Sequence, residues 1–402
     1  MDNTARLGRI ASIIIAALLC GEAWGQTSPI RREIYSRLDS HDNARAAELI
    51  EAHLQQAPDD AVMLYNAACV RCRLGEPDVG ASYLIRAVKA GFADFSHMRR
   101  DPDLRPIRSH SIFQAILAAR DAADQVLAER RVERWRRNHP GDAYQYETDV
   151  THRINYITVL PARDRQEMRR MLEDQAAVLN ETLFEGPQRH YVLVAVPTAE
   201  DLRHMFDEPG IGGVYTHRSR ELITSDIGRS LRHEFVHVLH HSHMDELGQQ
   251  HPLWIQEGIA SLYEDYRLDA GGAIEYVAND RQNIAKKLAR TGRLMPWLQL
   301  VALSPRQLRV EAARVYPQLR SIFRFIAEQD RLQAWYRSYI DRFDQDPAGI
   351  QTLERVFDRS LEDIEAQWQR WLNQQPVIVS EAMLGAAQGP SEPGGSVSTD
   401  EG

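Results

Sequence analysis

Residues 231–241 have the sequence L-R-H-E-F-V-H-V-L-H-H and are followed by P-L-W-I-Q-E-G-I-A-S-L-Y-E at residues 252–264. In an α-helix each residue advances by about 100°, so His233 and His237 lie one turn apart and can direct both imidazoles at one ion. Glu234 lies on an adjacent part of that face, where its carboxylate can reach a water on the ion without being a ligand. The H-E-x-x-H pattern therefore predicts a zinc-binding helix that also carries a general base.

Glu257 is predicted to be the third protein ligand. The interval after His237 is long enough for the first helix to end, for the chain to turn through residues 241–251, and for a second helix to begin near Pro252. An antiparallel second helix would return Glu257 to the histidines, and Gly258 would let the two helix backbones approach closely. Two His, one Glu and a water form the open site expected of catalytic zinc, whereas structural zinc sites are closed and usually rich in Cys.

Together the two motifs resemble those of the gluzincin metallopeptidases, the thermolysin-like group, and most closely a bacterial peptidase-MA-like branch. The resemblance rests on H-E-x-x-H and on the W-x-x-E-G-x-A that follows it at this spacing. It implies one zinc ion per chain, with His233, His237 and Glu257 as its ligands. It also implies that Glu234 is the general base that accepts a proton from the zinc-activated water.

Residues after the third ligand refine the resemblance. Thermolysin has an Asp four residues beyond that ligand, where this chain has Ser261. The pattern E-G-x-A-x-x-x-E instead resembles the aminopeptidase branch and implies that Glu264 orients a ligand histidine. That branch also has a G-x-M-E-N strand that grasps a free amino terminus, and none precedes His233. We therefore expect an endopeptidase rather than an aminopeptidase.

Alternatives exist for these histidines. An isolated H-E-x-x-H also occurs by chance, and then marks a surface helix or a degenerate, inactive site. The second motif favours the zinc site. Four further histidines are interpreted as polar residues of a helix end and a loop, with a second metal site as the alternative: His240, His241, His243 and His251.

Composition places the chain among ordinary globular proteins. Its 402 residues, 43% of them hydrophobic, suffice for two or three domains, and a net charge of -9 without a basic stripe argues against nucleic acid as a partner. Residues 1–25 have the pattern of a secretory signal, with an uncleaved anchor or, because of Cys20, a lipoprotein as alternatives. We therefore predict an exported protein, periplasmic or secreted, with no stable membrane span after signal cleavage.

Residues 30–137 have a helical pattern that resembles tetratricopeptide repeats. Such repeats can offer a concave surface to a protein partner, although so short an array can also be a spacer on a catalytic domain. Cys69 and Cys72 are interpreted as small core residues, with a C-x-x-C redox or zinc role as the alternative. Three helices and a closing helical segment are predicted: residues 44–60, 61–74, 79–90 and 92–122.

Residues 142–270 are predicted to form the zinc metallopeptidase domain. In gluzincins an edge strand ahead of the metal helix holds the extended substrate backbone, which implies that role for residues 215–224. A plain surface hairpin is the alternative. The expected elements before the metal helix are a strand at 144–160, a helix at 162–184, a strand at 191–196, a short helix at 201–206 and a strand pair within 213–224.

Residues 271–376 are predicted to form a helical lobe that completes the cleft, with helices over residues 309–327 and 353–372. The resemblance implies that this lobe provides a side chain for the developing oxyanion. Tyr316 is the candidate, with a core residue of an amphipathic helix as the alternative. Residues 377–402 lack periodicity and are predicted to be a disordered tail.

These observations predict an α+β, mostly helical protein in which tetratricopeptide-like hairpins precede a gluzincin-type domain and a carboxy-terminal helical lobe. The predicted activity is zinc-dependent hydrolysis of peptide bonds in a peptide or protein substrate. One alternative is a non-catalytic exported binding or scaffold protein with a remnant zinc-protease fold, and another is a zinc hydrolase that acts on something other than peptides.

Overall fold

The computed structural model describes residues 29–206 and 212–378. The predicted signal at residues 1–25 lies outside this part of the chain. The protein forms two compact units, one that extends to residue 250 and one that begins at residue 251. It is mostly helical with a small mixed sheet, which is compatible with the predicted α+β class. None of its described helices has the length and apolar character needed to cross a membrane.

The amino-terminal unit begins with helices whose first turns are capped by acidic side chains. Asp42, Asp60 and Asp94 each accept a hydrogen bond from a backbone N–H of the helix that follows. The helices agree with the predicted ranges, and their assignment to tetratricopeptide repeats stays a prediction. They are α1 (Pro29–Asp39), α2 (Asn43–Gln56), α3 (Ala61–Arg73), α4 (Pro77–Lys89), α5 (Phe95–Arg100), a 3-10 helix (Pro102–Ile107), α6 (Ser111–Ala118) and α7 (Arg120–Asn138).

Small residues let α3 and α4 approach closely. A Cβ atom at Gly80 would lie 2.7 Å from the sulfur of Cys72, so only glycine fits there. Ala68 and Ala87 are fully buried in the same core. Cys69 and Cys72 are buried free cysteines of this core, as the sequence predicted.

A five-stranded mixed sheet follows, in the order β1-β2-β3-β5-β4. β2, β3 and β5 are parallel, while β1 and β4 pair antiparallel with their neighbours. β3 is buried along its whole length, as expected for its run of five aliphatic residues. The strands are β1 (Gln145–Asp149), β2 (Ile154–Thr158), β3 (Val192–Val196), β4 (Gly213–Thr216) and β5 (Glu221–Thr224), and the helices between them are α8 (Ala162–Thr182) and α9 (Ala199–Met205).

Two strand predictions need correction. The single strand expected at residues 144–160 is the hairpin β1–β2, because the Asp149 carboxylate accepts the backbone N–H of His152 at 2.9 Å and Arg153 takes a φ of 53°. The strand pair expected within residues 213–224 is confirmed as β4 and β5. The edge expected at residues 215–224 is shorter, because β5 pairs with β3 on its other side and only β4 of these two strands lies at an edge of the sheet.

The helix that carries H-E-x-x-H is longer than expected. It is α10 (Arg229–Leu247), which continues through part of the predicted turn at residues 241–251 because Ser242, His243 and Met244 are buried. The helix ends at Gly248, whose φ of 73° is left-handed and suits glycine. The next helix is α11 (Leu253–Leu262), and Pro252 is its N-cap rather than its first residue.

The carboxy-terminal unit is helical apart from one hairpin that the sequence did not predict. The helix expected at residues 353–372 is two helices, since Asp358 takes a φ of 51° and Ser360 caps a new helix. Ile378 exchanges two hydrogen bonds with Asn283, and residues 379–402 of the predicted tail lie outside the described part. After α11 come β6 (Tyr266–Leu268), β7 (Ile274–Tyr276), α12 (Asp280–Arg290), α13 (Trp297–Val301), α14 (Pro305–Val310), α15 (Ala312–Glu328), α16 (Leu332–Asp341), α17 (Ile350–Phe357) and α18 (Leu361–Gln374).

Contacts with α15 hold α11 in place. A Cβ atom at Gly258 would lie 2.1 Å from the ring of Phe323, and the three atoms nearest to it all belong to that ring. The expected role of Gly258, close approach of two helix backbones, is therefore corrected to the accommodation of a Phe side chain. Arg320 is buried and donates to the carbonyls of Ser261 and Leu262, which satisfies the last turn of α11.

We expect Gly258→Ala to destabilise the carboxy-terminal unit by about 1–3 kcal/mol, the usual cost of overpacking a core. The Phe323 ring has little room to move because Trp254 and Trp335 lie 5.4 Å and 5.7 Å from it, between ring centroids. Chemical unfolding followed by circular dichroism measures the loss. The double variant Gly258→Ala/Phe323→Leu should lose less stability than the sum of the losses in the two single variants, because the smaller side chain relieves the clash.

Gly271→Ala is the matched control, because a Cβ there meets only the Asp269 carboxylate at 3.3 Å in an exposed turn. A Gly258→Ala protein as stable as this control would contradict the packing described for α11.

Candidate metal centre

The two histidines of H-E-x-x-H lie on one face of α10. Their Nε2 atoms are 3.2 Å apart, and their rings are inclined by 74°. Two nitrogen ligands that each lie about 2.0–2.1 Å from a tetrahedral ion are about 3.3 Å apart, so this separation fits one shared ion. It also fits a hydrogen bond in which one ring donates to the other. His233 is buried and His237 is half-buried.

Ligand-type side chains of the described residues form three groups in which one nitrogen, oxygen or sulfur atom per residue lies within 4.8 Å of the others. One group is the predicted set His233, His237 and Glu257, the last a half-buried residue of α11. Two imidazoles and one carboxylate suit zinc, although such a group does not by itself identify the ion. The other groups are Cys69, Asp101 and Asp103, and Asp149, His152 and Glu173.

The predicted general base is held by the edge strand. The Glu234 carboxylate accepts the backbone N–H of Tyr215 in β4 at 2.8 Å. Gly213 leaves room for this carboxylate, because a Cβ atom there would lie 3.1 Å from Cγ of Glu234. A hydrogen bond from a backbone N–H to a charged carboxylate is strong and directional, so it fixes the position of the Glu234 side chain.

The two site residues predicted in the carboxy-terminal unit share one neighbour. The carboxylate of Glu264 is nearly inaccessible and pairs with the guanidinium of Arg281 at 2.9 Å. That guanidinium also lies 5.2 Å from the ring centre of Tyr316, a half-buried residue of α15. The sequence did not suggest Arg281. The roles of Glu264 in orienting a histidine and of Tyr316 at an oxyanion stay predictions.

A buried polar network lies near the carboxyl end of α10, on the helix face that carries His233 and His237. Its centre is Arg220, which donates to His190 at 3.2 Å and to the Asp245 carboxylate at 3.0 Å. Arg220 also contacts His217, whose Nδ1 lies 3.1 Å from the hydroxyl of Tyr215. No motif in the sequence predicts this network. Its only signal is the four-residue spacing of His237, His241 and Asp245, which places all three on one helix face.

Histidines in this network are held neutral. Burial, and next the positive charge of Arg220, hold the pKa values of His190 and His217 well below the usual range. The buried Arg220 keeps its charge because the Asp245 carboxylate raises its pKa against the effect of burial. One cation therefore organises a cluster of uncharged imidazoles.

The remaining histidines near the motif have packing roles among the described residues. His240 stacks on Phe184 at 5.0 Å, and His241 stacks on His217 at 4.3 Å, between ring centroids. In the carboxy-terminal unit, His251 packs against Tyr339. His240 and His241 lie in the last two turns of α10 and His251 lies in the loop before α11, which confirms their expected places in a helix end and a loop.

A cavity of about 320 Å³ lies in the amino-terminal unit beside the buried network. Aromatic side chains cover one side, where Tyr65 stacks on Phe92 with 4.1 Å between ring centres. Charged side chains of both signs reach the cavity, so its polarity is mixed. They include Asp94, Arg100, Asp101, Arg218, Arg220 and Asp245.

Comparison with known proteins gives little further information. No family profile matches the chain, and no solved structure matches it. A chloroplastic protein from Arabidopsis thaliana is 36% identical to it over 75 residues, which are 18% of this chain and 22% of the relative. The chain thus matches about a fifth of the length of this relative, and the likeness does not show a family.

We expect the stability of the protein to fall as the pH drops below about 6.5, the ordinary pKa of histidine in an unfolded chain. The unfolded chain takes up protons there, while the folded His190 and His217 have lowered pKa values and do not, so acid favours unfolding. Above about pH 6.5 these histidines are neutral in both the folded and the unfolded chain, so their lowered pKa values cost no stability there. The free energy of unfolding in urea should be about 3 kcal/mol lower at pH 5.5 than at pH 7.5, because each of the two histidines contributes about 1.4 kcal/mol one pH unit below its pKa in the unfolded chain.

His217→Gln should flatten this dependence, whatever its effect on stability at pH 7.5. His204→Gln, at an exposed position of α9, is the control and should keep the dependence. Equal slopes in the two variants would show that His217 does not contribute.

Proposed function

We propose that this protein is an exported zinc-dependent metallopeptidase, more specifically an endopeptidase. The observation that carries the proposal is the group formed by His233, His237 and Glu257, whose ligand atoms lie within 4.8 Å of one another. Two neutral imidazoles and one carboxylate leave a tetrahedral zinc ion one open position, which is the arrangement of catalytic sites. No Cys belongs to this group, as is usual where the metal is catalytic.

His233, His237 and Glu257 would hold the zinc ion, which would supply an acidified water and polarisation of the scissile carbonyl, while the chain would supply the proton transfers. Glu234 accepts the proton from the water and later gives it to the leaving amine. The Tyr215 N–H holds the carboxylate of Glu234 before substrate arrives, which supports this role because a fixed base needs little reorganisation during the reaction.

The edge strand β4 suits an extended peptide. The backbone N–H of Tyr215 points to Glu234 rather than to β5, so the backbone N–H and C=O groups of this residue face the open edge of the sheet. Gly213 lies two residues earlier and faces the same way. Their carbonyl oxygens are acceptors that a substrate backbone can use by strand addition. This supports a peptide substrate bound in extended form.

We also propose that the tetratricopeptide-like helices bind a protein partner.

A second candidate is a non-catalytic exported binding protein. The cavity between Tyr65 and Asp245 favours it, because its aromatic and charged lining suits a small polar ligand or a peptide side chain. The two candidates differ in what Glu234 does. A binding protein needs no base at that position, whereas a peptidase does.

We expect Glu234→Gln to retain zinc and to lose about 10²–10⁴-fold in peptidase activity, because the amide keeps the shape of the side chain but cannot accept a proton. Cleavage of a denatured protein substrate, with and without a chelator, measures the loss. Glu246→Gln is the matched control at a half-buried position of the same helix. Equal activity of the two variants would overturn the assigned base, and a wild-type protein without chelator-sensitive cleavage would favour the binding protein.

His237→Ala should lose the zinc bound at this site as well as activity, since it removes one of three protein ligands. Metal analysis of the purified protein by mass spectrometry measures the loss. The exposed His204→Ala is the control and should keep the metal. Undiminished zinc in His237→Ala would show that the ligand set is wrong.

A further inference from the structure

A second group of ligand atoms lies in the amino-terminal unit, away from H-E-x-x-H in the chain. It joins the β1–β2 turn to α8 through Asp149, His152 and Glu173, whose ligand atoms lie within 4.8 Å of one another. One imidazole nitrogen of His152 lies 2.8 Å from the Asp149 carboxylate. Two carboxylates and one imidazole are hard and intermediate ligands that suit divalent transition metals such as zinc.

A buried hydroxyl next to this group supports a bound ion. Tyr156 of β2 is almost fully buried, its relative exposure being 2%, and its hydroxyl has no hydrogen-bond partner among the described residues. The nearby charges that raise its pKa, after burial itself, are Asp149 first and then Glu173 and Glu147, while Arg169 lowers it. A buried hydroxyl without a partner costs about 1–3 kcal/mol. A water on an ion held by Asp149 and Glu173 would be such a partner.

Charge at this position favours a cation. Arg169 donates to Glu147, which is not a member of the group, at 3.0 Å, and approaches the Glu173 carboxylate only to 3.9 Å. Because the single guanidinium of Arg169 is shared between Glu147 and Glu173, Asp149 and Glu173 together keep a net negative charge beside the imidazole. The group is also accessible, because the side chains of His152 and Glu173 are 33% and 34% exposed while that of Asp149 is 7% exposed.

We propose that Asp149, His152 and Glu173 bind a divalent transition-metal ion, represented by zinc, and that this ion fastens the β1–β2 turn to α8. The site is separate from the proposed catalytic centre and does not depend on it. Its role is structural. α8 also carries Gln175, whose amide donates to the carbonyl of Arg232 in the metal helix at 3.0 Å, so the ion stabilises a helix that α10 rests on.

The test uses the full chain, freed of metal with a chelator, in the background His233→Ala/Glu257→Ala. Titration with zinc chloride alone, followed by calorimetry, should show one equivalent of binding. Glu173→Gln keeps the size of the side chain but removes its charge, and should weaken binding at least tenfold. His152→Asn, which removes the imidazole from the turn, should do the same. Glu167→Gln, at an exposed position of α8, is the matched control and should bind zinc as the background protein does.

Absence of zinc binding in the background would overturn the proposal. Equal affinity of Glu173→Gln and Glu167→Gln would also overturn it, because the bound zinc would then be adventitious and held elsewhere. A second measurement in the wild-type background keeps the test informative if the double variant misfolds. In that background, Glu173→Gln should lower the zinc content from two equivalents to one. If the catalytic site binds no zinc, wild-type protein should instead contain one equivalent, which Glu173→Gln removes and His237→Ala retains. The two zinc proposals can therefore fail independently.

Discussion

The separation of 3.2 Å between the Nε2 atoms of His233 and His237 is the constraint on which the proposed chemistry depends. It is a property of a single helix, since residues four apart lie one above the other on the same face. The opposite face of α10 is apolar and fully buried through Leu231, Phe235 and Val238. Burial of that face fixes how the helix is rotated, so the imidazoles are directed by core packing rather than by the metal.

The edge strand joins the proposed base to the buried network. Tyr215 uses its backbone N–H for Glu234 and its hydroxyl for His217, so one residue contacts both. Arg220 completes the connection by pairing with Asp245, two turns beyond His237 on α10. The β4–β5 hairpin and the helix are thus held together at the base and again near the carboxyl end of the helix. Such support is what a catalytic carboxylate needs if its position is to be fixed before substrate binds.

Periodicity in the sequence predicted most helices and the order of the strands. The long helix α8 and the buried strand β3 follow directly from their apolar spacing. The turn at residues 150–153 was missed because its cause is a side chain that bonds to the backbone, which hydrophobic periodicity does not show. The end of α10 was misplaced because burial of Ser242 and His243 is a tertiary effect.

The candidate site could be predicted only where it is local. His233, Glu234 and His237 belong to one helix, and Glu257 follows from a second motif. Arg220 and Arg281 belong to no motif, and their partners are 25 and 17 residues away in sequence, counted from Arg220 to Asp245 and from Glu264 to Arg281. Contacts of this kind arise from folding and leave no pattern in one sequence. The same applies to Gly258, whose requirement comes from a ring in α15.

The most direct test of the zinc centre is a zinc K-edge X-ray absorption spectrum of the purified Glu173→Gln protein, in which the catalytic site is the zinc site that remains. We expect nitrogen and oxygen neighbours at about 2.0–2.2 Å with the outer-shell scattering of two imidazoles, and no sulfur. A spectrum with sulfur neighbours at about 2.3 Å, or without imidazole scattering, would contradict this expectation.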